Sequence, residues 1–165
     1  MSTTWVPIGG TVFTTVSQTR PDGVTIVTRS DVQSVVVPLG AVELHQEQAV
    51  VPTSLQVAGP VPAAGRLSVE DGVLTGLDGV STLHYRCLDV PFTVDGEITE
   101  HGGLHPITFA GNLIVTGGTG QLAGATGTLH FTGRYSFADN AGYFALAGAV
   151  HVAVHLPAAA EVAIP

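Results

Sequence analysis

LIVTGGTGQLAGATGTLHFTGRY, from Leu113 to Tyr135, admits two readings that lead to different proteins. A short apolar run ends in a glycine-rich turn, and a second run of alternating character follows. Read one way, VTGGTGQLAGA opens a dinucleotide-binding domain, with glycines that let the backbone approach a pyrophosphate. Read the other way, it is the hairpin of a small antiparallel β-barrel.

The dinucleotide fingerprint needs a helix after its glycines and an acid about 20 residues further on. Here Gln121-Leu122-Ala123-Gly124-Ala125-Thr126-Gly127 is broken by glycine and runs into the alternating Thr128-Leu129-His130-Phe131, so no helix follows. Asp139 stands at a suitable distance, but inside a turn. Too little chain remains for the rest of a doubly wound sheet. The hairpin is the reading that survives.

Composition agrees. The chain has 165 residues, enough for one domain, 1–165, with a real core. Charged residues make up only 11% of it, against roughly 25% in an average soluble protein. Its surface must therefore be neutral-polar, shared with another subunit or partly apolar. Thirteen acids against five bases give a net charge of −8, which argues against nucleic acid or an anionic membrane as partner. Cys87 is the single cysteine, so there is no internal disulfide framework. MSTTWVPIGG has no basic n-region and no apolar h-region, and no apolar run approaches the roughly 20 residues of a spanning helix. The expectation is a cytoplasmic protein.

Valine, threonine and glycine dominate, lysine is absent, and period-two alternation between turn residues is the rule, which reads as all-β. Strands are expected over 10–18, 24–30, 34–39, 41–51, 66–74, 81–94, 107–116, 126–137 and 143–156. Turns are expected at Arg20-Pro21-Asp22-Gly23, Asp71-Gly72, Asp78-Gly79, Asp95-Gly96 and Asp139-Asn140-Ala141-Gly142. Pro38 marks an edge or a bend, 58–65 a loop, and ITEHGGLHP (98–106) a loop at a barrel mouth. The tail, 157–165, reads as an extension. About eight strands joined by tight turns make a small closed antiparallel β-barrel, whose closure removes sticky edges that so few charges could not protect.

Val115-Thr116-Gly117-Gly118-Thr119-Gly120 followed by Leu122-Ala123-Gly124-Ala125-Thr126-Gly127 resembles the hairpin of plant allene oxide cyclases and dirigent proteins. It also resembles bacterial relatives with the same barrel, some of which cyclise spirotetronate-type polyketides. The likeness continues weakly through Phe131 to Val154, and the first hundred residues carry no motif of that superfamily. It implies an eight-stranded barrel with a largely apolar lumen, no cofactor, and a homodimeric or homotrimeric assembly. No catalytic residue of those families falls in the matched segment, so none is carried over. The glycines themselves read as scaffold.

If the apolar strand faces line the lumen, the polar residues among them are the candidates for chemistry. Gln46 and Gln48 interrupt the face of Val42, Leu44 and Val50. Tyr85 and Cys87 sit beside Leu83, Tyr135 follows Leu129 and Phe131, and Thr14 lies between Val12 and Val16. Gln46, Gln48, Tyr85 and Tyr135 form a set able to orient and polarise a carbonyl. Leu83, Cys87, Phe131, Phe144 and Leu146 are the expected substrate-binding wall. A one-residue slip inverts every face. It would turn Glu43, His45, Glu47, His84, Arg86, His130 and Arg134 inward, a set suited to proton transfer. Ordinary roles are open to all of these: hydrogen bonds to neighbours for the first set, a solvated outer face for the second.

Seven histidines raise the question of a metal. His151 and His155 stand about 13 Å apart on a strand, too far to share an ion. Glu43 and His45, about 7 Å apart, need ligands from another strand. His101 and His105 share a glycine-rich loop that does not fix them. No metal and no cofactor is expected. Cys87 has no activating neighbour on its strand face and reads as a buried thiol.

The function expected from these features is cofactor-independent cyclisation of a hydrophobic, polyketide-like intermediate in the lumen. The ring would close by [4+2] addition or by nucleophilic or epoxide-opening closure. The alternative is a barrel that binds or stereochemically directs a hydrophobic ligand without chemistry of its own.

Overall fold

Alternation of β-branched and small residues over nearly the whole chain leaves one way to bury the apolar positions, which is to roll a meander shut. The computed structural model describes residues 2–19, 25–29, 34–57, 61–95 and 103–154. The strands are β1 (Ser2–Thr19), β2 (Thr25–Arg29), β3 (Ser34–Val37), β4 (Gly40–Leu55), β5 (Pro62–Gly76), β6 (Thr82–Val94), β7 (Ile107–Thr119), β8 (Thr126–Ser136) and β9 (Ala141–Val154). All neighbours are antiparallel. β2 and β3 lie end to end in one position, each paired to β1 on one side and β4 on the other. Nine strands therefore occupy eight positions, and the β1–β9 ladder from Ser2↔Val154 to Thr15↔Ala141 closes the ring. The all-β, eight-position closed sheet is the architecture expected from the alternation.

Several boundaries differ from those expectations. β1 begins at Ser2 rather than near residue 10, because Thr3 to Gly9 pair with β9 along their whole length. β5 starts at Pro62 and runs through Asp71-Gly72, which is a bulge and not a turn. Glu70 and Asp71 together face the single residue Glu47 on β4 and the single residue Arg86 on β6. The glycine there serves packing, as shown below. Pro38 sits in the turn between β3 and β4. The turns at 20–23 and at Gly96, the loop residues 98–102, His101, His155 and the tail lie outside the described residues.

One end of the barrel is plugged. After Thr119 the chain makes a single 3-10 turn, Gly120–Leu122, and drops Leu122 and Ala125 fully buried into the core beside Leu39, Leu74 and Leu83. The glycines of the opening stretch permit this. Gly120 has φ +58°, and a Cβ on Gly118 would stand 2.4 Å from the Leu122 carbonyl oxygen. Asp78 braces the plug. Its carboxylate accepts from the Val80 and Ser81 backbone N–H groups at 2.9 and 2.8 Å and from the Ser81 hydroxyl at 2.7 Å, and Ser81 Oγ accepts from Gln121 N–H at 3.1 Å.

Candidate functional site

The other end is open. A cavity of about 380 Å³ occupies that half of the lumen, within the range of small-molecule sites. Its wall is divided around the ring. β1, β2 and β4 contribute Thr14, Thr28, Gln46 and Gln48, whereas β6 to β9 contribute Phe92, Phe109, Phe131 and Phe144. Phe131 packs against Phe109 and Phe144 with ring centroids 6.0 and 6.5 Å away. The division settles which strand faces point inward. Gln46 is buried, while Glu43, His45, Glu47, Arg86 and His130 are exposed on the outside and His84 is partly so.

Tyr85 joins the polar arc from the far side of β5. Gln46, Gly72 and Tyr85 stand opposite one another on β4, β5 and β6. A Cβ on Gly72 would lie 2.4 Å from the Tyr85 ring, so the phenol lies flat over this glycine and spans a whole strand. Its hydroxyl donates to Gln46 Oε1 at 2.6 Å, and Gln46 Nε2 donates to Gln48 Oε1 at 3.2 Å. The three residues form a relay whose last donor is the Gln48 amide, and each bond polarises the next. Burial holds the Tyr85 phenol well above its usual pKa, and charge on Cys87 or Asp71 nearby pushes the same way more weakly. It is a permanent hydrogen-bond donor and not a base.

The same device recurs along the aromatic arc. Phe92 lies over Gly65 and Phe109 over Gly133, and Phe131 and Tyr135 stand opposite Gly111 and Gly142, each pair directly opposed on neighbouring strands. Glycine under each ring keeps the wall thin enough to leave a lumen. Pairing of this kind also covers the glycine backbone that would otherwise weaken a strand.

Of the residues expected from sequence, Gln46, Gln48, Tyr85, Tyr135, Cys87, Phe131 and Phe144 all line this cavity. Leu83 and Leu146 do not; both are buried in the core outside the lining, and Leu83 has no exposed surface. Tyr135 stands at the mouth, apart from the relay, and donates to Asn140 Oδ1. Burial pushes its phenol up to about 12. Burial likewise raises the Cys87 thiol to about 11, against a lesser opposing effect of the Val69 backbone N–H, which leaves it a thiol at neutral pH. Arg134, expected inward only if the faces were inverted, is exposed but borders the cavity at its rim, where it pairs with Asp95 at 2.7 Å. Thr28 escaped notice, although alternation puts it in phase with Val24 and Ile26. Among the described residues no three of histidine, cysteine and carboxylate come together.

The mouth carries one further built feature. Gln56, nearly fully buried, accepts from His105 N–H at 2.7 Å and donates to the His105 carbonyl at 2.9 Å and the Pro62 carbonyl at 3.1 Å. This ties the segment entering β7 to the β4–β5 connection beside Leu55 and Ile107. No helix is long and apolar enough to cross a membrane among the described residues. No family model, curated protein or solved structure matches the chain.

Proposed function

We propose that the protein is a cofactor-independent cyclase that holds a neutral, mostly apolar, polyketide-like chain in the open half of the barrel and closes a ring on it. The observation that carries this reading is the divided wall: a polarised Tyr85–Gln46–Gln48 relay facing an arc of phenylalanines across the cavity. A flexible chain folded against the rings loses its unproductive conformers before reaction, and a carbonyl held by the relay is drawn electron-poor. Burial keeps Tyr85, Cys87 and Tyr135 neutral, so the phenols serve as hydrogen-bond donors. A [4+2] addition, which converts two π bonds into two σ bonds, and a nucleophilic or epoxide-opening closure both suit this cavity, since each closes the ring with no atom gained or lost, and the first is the more direct to test. The resemblance of the glycine-rich hairpin to polyketide-cyclising barrels points the same way. The second reading, a barrel that binds or directs a ligand without chemistry, draws on the same wall, in which Arg134 at the rim is the one ionised side chain among the described lining residues.

The test is to incubate the protein with linear chains that carry a diene and a carbonyl-conjugated alkene. A cyclised product appears as a chromatographic shift at unchanged mass. Acceleration over buffer, lowered about tenfold by Tyr85→Phe through loss of roughly one hydrogen bond, is the expected result. Tyr135→Phe, away from the relay, lowers the rate less. Binding without acceleration would sink the cyclase and leave the binding barrel.

A further inference from the structure

We infer that Thr28 anchors the ligand by donating its hydroxyl to an uncharged carbonyl oxygen, so that the barrel takes neutral, flat, unsaturated carbonyl compounds. The inference rests on the reading of the open half as the ligand site. Thr28 is only 3% exposed and lines the cavity, yet its Oγ1 has no hydrogen-bond partner among the described residues. A buried hydroxyl without a partner is costly and calls for one from outside the chain.

The surroundings define that partner. Thr28 stands directly opposite Gln46 on β4 and Val16 on β1, so its hydroxyl belongs to the polar arc. The amide oxygens of that arc are already engaged: Gln46 Oε1 accepts from Tyr85, and Gln48 Oε1 accepts from Gln46. What the arc has left to give is N–H and O–H, and the complement of donors is an acceptor. A carboxylate would be an acceptor too, but among the described residues the deep wall holds no cation. Arg134, at the rim, is engaged by Asp95. Removing an anion from water without a counter-charge is far costlier than removing a ketone. Across the lumen, Phe109, Phe131 and Phe144 offer ring faces and edges to a flat body.

Three fluorescent probes of nearly one shape separate the possibilities: 2-acetylnaphthalene, its alkene isostere 2-isopropenylnaphthalene, and 2-naphthoate. Fluorescence titration of the full chain should show the ketone binding about tenfold tighter than the alkene, the worth of one good hydrogen bond, and the naphthoate weakest. Thr28→Val, which keeps the shape, should bring the ketone down to the alkene while leaving the alkene unchanged, and Thr28→Ser should restore the preference. The variant without ligand should unfold at the same or higher urea concentration than the parent, because the lost hydroxyl had no partner. Equal binding of ketone and alkene, or a preference that survives Thr28→Val, overturns the anchor and leaves the cavity reading intact. Failure of all three probes to bind overturns both. A large loss of stability in Thr28→Val, with the ketone preference unchanged, assigns the hydroxyl a structural role instead.

Discussion

At the plugged end, Leu122 and Ala125 fold inward from the β7–β8 connection and complete a buried core of leucine and valine. At the open end, the same alternation of inward and outward residues surrounds about 380 Å³ of cavity. The strands do not differ in kind between the two ends; the partners across them do. In the plugged half large aliphatic side chains meet one another, as Leu74 meets Leu83 and Leu44 across the ladders. In the open half Phe92, Phe109, Phe131 and Tyr135 each stand opposite a glycine. Filling and emptying a barrel thus comes down to what stands opposite each bulky residue. On this arrangement the plugged half should contribute more of the stability, and the open half has room for polar groups.

The sharpest test of that division is to truncate both halves. Leu122→Ala removes a fully buried side chain from a filled core and should cost about 3–4 kcal/mol in urea unfolding. Phe131→Leu changes a ring that borders open space and should cost about 1 kcal/mol, as shape changes in tolerant sites do. Equal costs would mean that the two halves are not packed differently.

Next in size is the glycine beneath Tyr85. Gly72→Ala places a methyl 2.4 Å from the phenol ring, so the ring must lift and its bond to Gln46 must lengthen or break. Overpacking of this kind costs about 1–3 kcal/mol. In a Tyr85→Leu background the obstacle is gone and the same alanine should cost less than about 0.5 kcal/mol, a coupling that a double-mutant cycle reads directly. Additive costs would show that Gly72 has a backbone role unrelated to seating the tyrosine.

That glycine also marks where sequence ceases to be legible. Alternation alone identified the all-β class and the closed ring and grouped Gln46, Gln48, Tyr85 and Cys87 with the apolar faces, because a two-residue period is a local property; which face turns inward it left open. Asp71-Gly72 has the form of a turn signal, and nothing local distinguishes it from a bulge whose glycine accommodates a ring from the next strand. Which glycine opposes which aromatic depends on register between strands, and register is a property of pairs. Leu83 and Leu146 illustrate the same limit. They share a face with the cavity residues but lie nearer the plug, and position along the barrel axis is set by the stagger of the whole ring. Thr28 was in phase with its neighbours; only the absence of a partner sets it apart, and partners are not written in one strand.

The two ends should also respond to opposite extremes of pH. Backbone and side-chain bonds from Ser81, with Val80, hold the Asp78 carboxyl below its ordinary value of 3.8. A depressed folded pKa contributes stability above the unfolded value that is lost as pH falls through the folded one, so the plug weakens in acid. In the open half burial raises Cys87 from 9.0 to about 11 and Tyr135 from 10.0 to about 12. A raised folded pKa leaves stability complete below the unfolded value and removes it as pH climbs toward the folded one, here from about 9 to about 12. Thermal unfolding followed against pH should therefore fall at both extremes. Asp78→Asn should flatten the acid side only, and Cys87→Ala should delay the alkaline fall toward pH 10, where the tyrosines take over. A Cys87 variant that alters the acid side would break the assignment of each limb to one end.

The smallest effect belongs to the outer wall. Glu43 and His45 alternate with Leu44 and Gln46 on β4, and the structure exposes the first pair while burying the second. Glu43→Gln and His45→Gln should each change stability by less than about 0.5 kcal/mol, as surface substitutions do. Neither should alter the titration of a lumen probe. Gln46→Leu, one residue away, leaves the Tyr85 hydroxyl buried without its acceptor and should cost about 1–3 kcal/mol. The contrast between adjacent residues is the finest grain at which the inward face can be checked. A reversed order, with His45 costly and Gln46 silent, would put the whole of β4 one residue out of register and turn the charged face into the lumen.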